Sequence, residues 1–443
     1  MSQEKGGEKI MLETINNYIW NSGLLILLLG TGIFLTLKTK FFQLRRSGFI
    51  FKSVRRSLKN SGSSQWKISA SALAASMGTG NIVGVTAAIA IGGAGAVFWM
   101  QVSAFFGMML TYAENVLSMK FRHIEEDGNV IGGAAAYLRY GLGSKSLAYI
   151  YVFFCILASL GMGNMTQGSA AAQALSGAFG FSPVVVGVFI TVFLLATVIG
   201  GAKSIGNAAK FLLPFAAISY MILALSVIFV NFKNIPYAFG EIFKSAFGIK
   251  QVGAGLFGSA LSAGLRHGVF SNEAGLGSSA LIHSNAEDSD PYLQGMWSIF
   301  EVFLDTMVCC TLTALMILTS GVNIEMGAKP VSDAFSIILG KYSGAVTSVI
   351  IALFAVCTML GWFCCGETAL KSLGINACKK KSVILTYRII FCLLGGFGCT
   401  GALSDMWTLS DIANGLMAIP NLLALLLLSR YVTIPIKRDE CGK

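Results

Sequence analysis

Charge is scarce in this sequence. Asp, Glu, Lys and Arg supply only 12% of its 443 residues, whereas 55% are hydrophobic. A soluble domain carries about 25% charged residues. A chain this long with so little polar surface has lipid rather than water around most of it. Histidine is scarcer still, with three residues (His123, His267, His283) far apart in the chain. The sequence has no HExxH, no GxSxG and no phosphate-binding GK[ST], which removes the common membrane-enzyme chemistries. The ten cysteines lack the CxxC pairing of a metal site and fall mostly inside apolar runs, such as Cys155, Cys309, Cys310 and Cys357. They read as small packing residues. Repeated pore loops and rings of charge, the marks of a channel, are also missing.

The apolar residues come in runs long enough to cross a bilayer as helices of about 20 residues. Eleven candidates stand at 17–37, 68–91, 95–118, 146–172, 182–201, 207–231, 252–280, 294–320, 344–369, 382–400 and 405–430. The first follows a mixed-charge segment and is long enough to span, which speaks against a cleavable leader. The net charge of +11 sits in short gaps between the runs, not on one amphipathic face. That pattern fits membrane topology rather than a nucleic-acid partner. Lys and Arg between spans divide 23 to one side and 7 to the other. The basic segment 38–67, with Arg45, Arg46, Arg55 and Arg56, weighs most. The amino terminus is expected outside the cell and the carboxyl terminus in the cytoplasm.

Two runs are interrupted. Span 68–91 contains Gly78-Thr79-Gly80-Asn81, and span 252–280 contains Gly268-Val269-Phe270-Ser271-Asn272-Glu273-Ala274-Gly275. Glycine weakens a helix and lets its backbone unwind. Unwound backbone at membrane depth survives only where it lines a protein cavity. With the first span set aside as an extra, the breaks fall in the first and sixth of ten core spans. Breaks at matching places in two five-span halves predict an inverted repeat, with a binding site between them. Close helix packing at small residues is the competing explanation for the glycines. A dinucleotide fingerprint is excluded: Gly78, Gly80 and Gly84 are spaced one residue too widely, and no strand precedes them. The expected fold is an all-α membrane protein of 11 transmembrane helices with two discontinuous helices. The expected organisation is an extra amino-terminal helix and basic cytoplasmic loop over 1–67, a first five-helix repeat over 68–231 and an extracellular connection over 232–251. A second five-helix repeat over 252–430 and a cytoplasmic tail over 431–443 complete it.

Asp305 and Glu273 lie deep in apolar runs, where a carboxylate is expensive and functional by default. Glu273 has a structural alternative, a buried pair with Arg266. Glu114 and Glu367 are expected at interfacial span ends. Asp411 and Asn414 share one face of the last span and are candidates for an outer gate, and His267 reads as a packing residue beside the second break.

GTGNIVG (78–84), GGAGAVFWM (92–100), GMGNMTQ (161–167), GVFSNEAGLGS (268–278), FLDT (303–306) and LGW (360–362) together resemble the sodium:alanine/glycine symporter family, in family order across nearly the whole chain. One departure is Gln101, where the family usually continues FWMW; it is expected to lie away from the binding site. The resemblance implies a leucine-transporter-type fold in the cell membrane and uptake of a small neutral amino acid with sodium. Alanine or glycine comes first, D-alanine and glutamine next. It places the substrate carboxylate on amides at Gly78, Thr79 and Gly80, next to Asn81. The ammonium goes to carbonyls near Phe270 and Ser271 and to Gln167, with Asn272 close by, and Phe270 and Trp362 close an apolar pocket. One sodium site takes Asn81, the Ser76 carbonyl and oxygen from the second break, for which Asn272 and Asp305 are candidates. A second takes carbonyls near Ala74 and Met77 and the Thr358 hydroxyl. The implied partners are the amino acid, sodium and the lipid bilayer, with no obligatory protein partner evident. A proton-coupled carrier of the same fold, titrating Asp305 or Glu273, is the alternative.

Overall fold

The computed structural model describes residues 2–435 apart from 21, 61, 126–129, 249–257, 287–289, 375–376 and 402–405. The first residues of the predicted span 252–280, the end of the connection 232–251 and the tail beyond 435 thus lie outside the described residues. The chain is helical almost throughout. The helices are α1 (Ser2–Ile19), α2 (Ser22–Lys38), α3 (Ser47–Asn60), α4 (Gly62–Ser76), α5 (Val83–Gly92), α6 (Gly95–Phe121), α7 (Lys145–Phe179), α8 (Pro183–Ile199) and α9 (Gly201–Val230). After them come α10 (Ile235–Ala246), α11 (Ser259–Asn272), α12 (Ser278–His283), α13 (Pro291–Ser320), α14 (Lys329–Leu339), α15 (Ser343–Lys371), α16 (Ala377–Gly398) and α17 (Met406–Leu427). Among the described residues, eight helices are long and apolar enough to cross a membrane. The apolar helices α5 and α8 are shorter.

The connections are more ordered than a count of apolar runs suggests. The segment ahead of the first predicted span is helical (α1), the segments 230–251 and 320–344 each carry a helix, and 119–147 holds a two-residue hairpin pairing His123–Ile124 with Val130–Ile131. Within the basic segment, α3 buries Ile50, Val54 and Ser57, spaced as one helical face, and exposes Lys52, Arg55, Arg56 and Lys59. The Trp297 indole donates to Ser57 Oγ at 3.4 Å, which fixes α3 against α13.

The outward faces show what solvent the fold expects. On α9, Phe211, Phe215, Ile218, Ile222, Leu225 and Phe229 form one exposed stripe at helical spacing, and Leu385, Ile389, Leu393 and Phe397 do the same on α16. Contiguous apolar stripes of this kind are costly in water and favourable in hydrocarbon. The interior packs through small residues. Gly361 of α15 lies against Ala75 of α4, and Gly92 of α5 against Ala260 of α11, so backbones approach where a side chain would separate them. These contacts bring both interrupted spans into the centre of the bundle.

Candidate functional site between two interrupted helices

The first interruption lies between α4 and α5. Helix α4 ends at Ser76, Gly78 is extended, and Thr79–Asn81 form a single tight turn. Asn81 caps its own break: the Gly78 N–H donates to Asn81 Oδ1 at 2.9 Å. The carbonyls of Ala74 and Ser76, in the last turn of α4, have no following turn to accept from, which leaves electronegative oxygen beside the break. Met77 N–H still reaches the Leu73 carbonyl at 2.6 Å, so the helix is regular up to Met77. The second interruption runs from α11 to α12. Glu273, Gly275 and Gly277 all adopt left-handed φ (56°, 88° and 76°), and so reverse the chain between the two half-helices. Glycine takes this conformation readily, and Glu273 bears its cost as the only such non-glycine residue of this break.

Asp305 sits where three elements meet. Residues Phe303–Cys310 of α13 form a wide π-turn, a geometry often found at functional sites. The Asn81 amide nitrogen donates to Asp305 Oδ1 at 2.7 Å, to the Asp305 carbonyl at 3.0 Å and to Ser271 Oγ at 3.3 Å. Ser271 Oγ and Thr306 Oγ1 each donate to Asp305 Oδ2 at 2.7 Å. Three oxygens from α13 and α11 thus converge on one position beside the first break, all in fully buried residues. Buried oxygens facing a common point, with a carboxylate among them, suit a small cation.

On the other side of the first break, Thr79 Oγ1 donates to Gln167 Oε1 at 2.9 Å. A second π-turn in α7, Gly161–Met165, aims Gln167 this way. Gly80 faces the Phe270 carbonyl and Ser271 Cα, each 3.8 Å from where a side chain would begin. Thr358 of α15 is buried with no hydrogen-bond partner for its hydroxyl, and a Cβ on Gly78 would collide with that hydroxyl. That unsatisfied hydroxyl lies against Gly78, just past the end of α4.

The other residues singled out from the sequence make further contacts around this cluster. Asn272 Nδ2 donates to Thr306 Oγ1 at 3.1 Å, and its Oδ1 accepts from the Ala274 N–H at 3.0 Å, so Asn272 holds the shape of the second break. The Trp362 indole is fully buried over Gly163 and donates to Glu273 Oε1 at 2.7 Å, while Phe270 packs against Trp20 at 4.7 Å between ring centroids, the rings tilted by 40°. Glu273 does not pair with Arg266. Its other oxygen accepts from Ser278 Oγ at 2.5 Å, and Arg266 binds Asp411 of α17 at 3.1 Å, lying over the Phe270 ring. Glu114 joins the second break. It is buried and accepts from the Gly277 N–H at 3.1 Å and Asn421 Nδ2 at 2.6 Å. Glu367 is buried too, held by Arg388 through two bonds of 3.0 Å and by Lys371 at 2.7 Å. Gln101 reaches the site after all: its Nε2 donates to the Thr306 carbonyl at 3.3 Å, one residue from Asp305. His267 packs beside Phe270.

Thr306, Glu114 and Asn421 complete the two breaks and were not singled out from the sequence as ligands or struts. Thr306 lay inside the quoted FLDT. Asn421 gave only the weak signal of an amide in an apolar run, next to Pro420.

Two helices broken at membrane depth, joined at their breaks by buried oxygens and ringed by lipid-facing helices, define a secondary membrane transporter. The chain belongs to the Sodium:alanine symporter family, which matches residues 6–439. It is a transporter and not an enzyme, as are the proteins it resembles. It is 38% identical to the sodium/alanine symporter AgcS of Methanococcus maripaludis, over 95% of each chain. It is 34% identical to the probable sodium/glutamine symporter GlnT of Bacillus subtilis over 95% of this chain and 88% of that one. The putative sodium/proton-dependent alanine carrier YrbD of the same organism is 31% identical over 97% and 92%. Among solved structures it shares the fold of MhsT, a crystal structure in complex with L-phenylalanine. The TM-score is 0.52 and the identity 15%, covering 83% of this chain and 98% of that one.

Proposed function

We propose that this protein takes up a small neutral amino acid, alanine or glycine, with sodium by alternating access. The reading includes eleven membrane spans, a five-plus-five inverted repeat with one extra helix, an external amino terminus and a cytoplasmic carboxyl terminus. The observation that carries it is the convergence of Asp305 Oδ1, the Asp305 carbonyl and Ser271 Oγ on the position held by the Asn81 amide nitrogen. A sodium ion takes those oxygens together with the Ser76 carbonyl, and the Asn81 amide turns its oxygen inward. The second ion takes the Thr358 hydroxyl and the carbonyls of Ala74 and Met77. The substrate carboxylate rests on amides of Gly78, Thr79 and Gly80 at the positive end of α5. Its ammonium replaces Thr79 as the partner of Gln167 and meets the Phe270 carbonyl. The narrow gap between Gly80 and that carbonyl favours a small substrate. Above it, Phe270, Arg266 and Asp411 close the outer side.

The test is uptake of radiolabelled alanine, glycine and glutamine into proteoliposomes. Replacing sodium by choline at fixed pH is expected to abolish uptake. Undiminished uptake driven by a pH gradient alone would replace this reading with proton coupling through Asp305.

A further inference from the structure

A second buried polar network lies at the basic end of the bundle, away from the breaks. Gln65, near the start of α4, and Gln294, near the start of α13, form a reciprocal amide pair: Gln294 Nε2 donates to Gln65 Oε1 at 3.0 Å and Gln65 Nε2 to Gln294 Oε1 at 3.2 Å. Gln65 Nε2 also reaches Ser69 Oγ at 3.3 Å. His283, the last residue of α12, brings Nδ1 to 2.6 Å from Gln294 Oε1 and Nε2 to 3.0 and 3.1 Å from the two Glu301 carboxylate oxygens. An amide oxygen only accepts, so His283 Nδ1 carries the hydrogen. All four residues are buried, none more than 5% exposed.

The network ties particular elements together. Helix α4 leads into the first break and α12 leads out of the second, and both are fastened at their far ends to one stretch of α13. A cavity of about 10 Å³, lined by Ser76, Asn272, Glu273, Ser279, Ser298 and Glu301, separates the breaks from the network. A larger cavity of about 80 Å³, lined by Lys67, Ser71, Ile282, Asn285 and Lys371, flanks α4 and α12 at the basic end. The polar part of the contact at the ends of α4 and α12 is this network, beside apolar packing of Ile68, Ala72, Leu281 and Ile282. Hydrogen bonds between side chains exchange for bonds to water at small net cost, provided all of them exchange, while one lost bond leaves a buried orphan. A contact of this kind suits a joint that opens and closes as a unit.

We propose that Gln65, Gln294, His283 and Glu301 form the latch of the gate at the basic end. The latch holds α4 and α12 against α13 while the site is closed to that side, and parts when the site opens to it. The inference rests on the alternating-access reading. These residues position helices and touch neither substrate nor ion in the closed state.

Amide hydrogen exchange on the purified full-length protein tests it. Gln65→Leu keeps the bulk and removes the amide. Exchange over 62–76 is expected to rise about tenfold, the scale of one orphaned buried hydrogen bond. The melting temperature is expected to hold, and the half-saturating alanine concentration to rise as part of the population opens. Gln294→Leu, which also takes the acceptor of His283 Nδ1, is expected to raise exchange further, and the double variant to be no worse than Gln294→Leu alone, because the Gln65–Gln294 interaction is already lost there. Glu301→Gln, which keeps an acceptor for His283, is expected to exchange less than Glu301→Leu. Unchanged exchange over 62–76 in Gln65→Leu would overturn the latch. So would exchange rising evenly across the bundle with a falling melting temperature. Exchange is read without a transport assay, so failure of sodium-dependent uptake in the unmodified protein strikes the proposed function and leaves this result standing.

Discussion

The two interruptions solve the same problem in different ways. The first is short and largely self-sufficient: one tight turn, one extended glycine and a cap supplied by its own Asn81. Its remaining polar groups point outward to Asp305 and Gln167. The second is long, reverses through three left-handed residues, and is held from outside. Glu114 and Asn421 hold Gly277 and Gly275, the Tyr151 hydroxyl donates to the Leu276 carbonyl at 3.1 Å, and Ser278 and Trp362 hold Glu273. A carboxylate next to a break is thus not by that fact a ligand. Asp305 Oδ1 and the Asp305 carbonyl face a position shared with Ser271 Oγ, while Oδ2 is held by Ser271 and Thr306; both oxygens of Glu273 are engaged in bracing the joint.

Breaking this contrast starts with Gly80. Gly80→Leu fills the gap before the Phe270 carbonyl and is expected to abolish alanine binding while the protein stays folded. Alanine titration and melting temperature on the same purified sample check it, and normal affinity in a stable variant would remove the substrate from the first break. Asp305→Asn comes next. Losing one charged ligand, worth about 1.5–3 kcal/mol, is expected to raise the half-saturating sodium concentration by at least about tenfold. Glu273→Gln is expected to leave that concentration nearly unchanged and to lower the melting temperature by a few degrees. Equal sodium defects in the two variants would erase the distinction between ligand and strut. Thr358→Val keeps shape and removes a hydroxyl without a protein partner, so thermal stability is expected to hold while sodium dependence weakens several-fold. An unchanged sodium curve would take Thr358 off the ligand set. The smallest effect belongs to Gln101→Leu, which deprives the Thr306 carbonyl of a donor. A shift in sodium affinity of less than about fivefold is expected, the scale of one part-buried hydrogen bond, and none at all would place Gln101 outside the site.

The sequence made the breaks legible because glycine and asparagine come together inside two apolar runs at matching places, which packing glycines alone do not do. GTGN and the 268–275 segment lie where the helices stop. The partners of the second break were not legible. Glu114 meets Gly277 across 163 positions and Asn421 meets Gly275 across 146, and each in isolation resembles a polar residue near a span end. Gln101 was placed away from the site because its position on α6 says nothing of the π-turn in α13 that presents the Thr306 carbonyl to it. The partner of Arg266 is illegible for a similar reason. Glu273 was near in sequence, but Asp411, 145 residues away, occupies the adjoining face.

Trp20 gives the Arg266–Asp411 pair an optical property. Its indole is 2% exposed, donates to the Asp411 carbonyl at 2.8 Å, and lies against the Phe270 ring with the Arg266 guanidinium 5.8 Å from it. A dry indole emits at shorter wavelength than a wet one, and a nearby cation changes its yield. Any movement that parts Arg266 from Asp411 moves water and charge at this ring, so the protein carries a native fluorophore that reports on this ion pair.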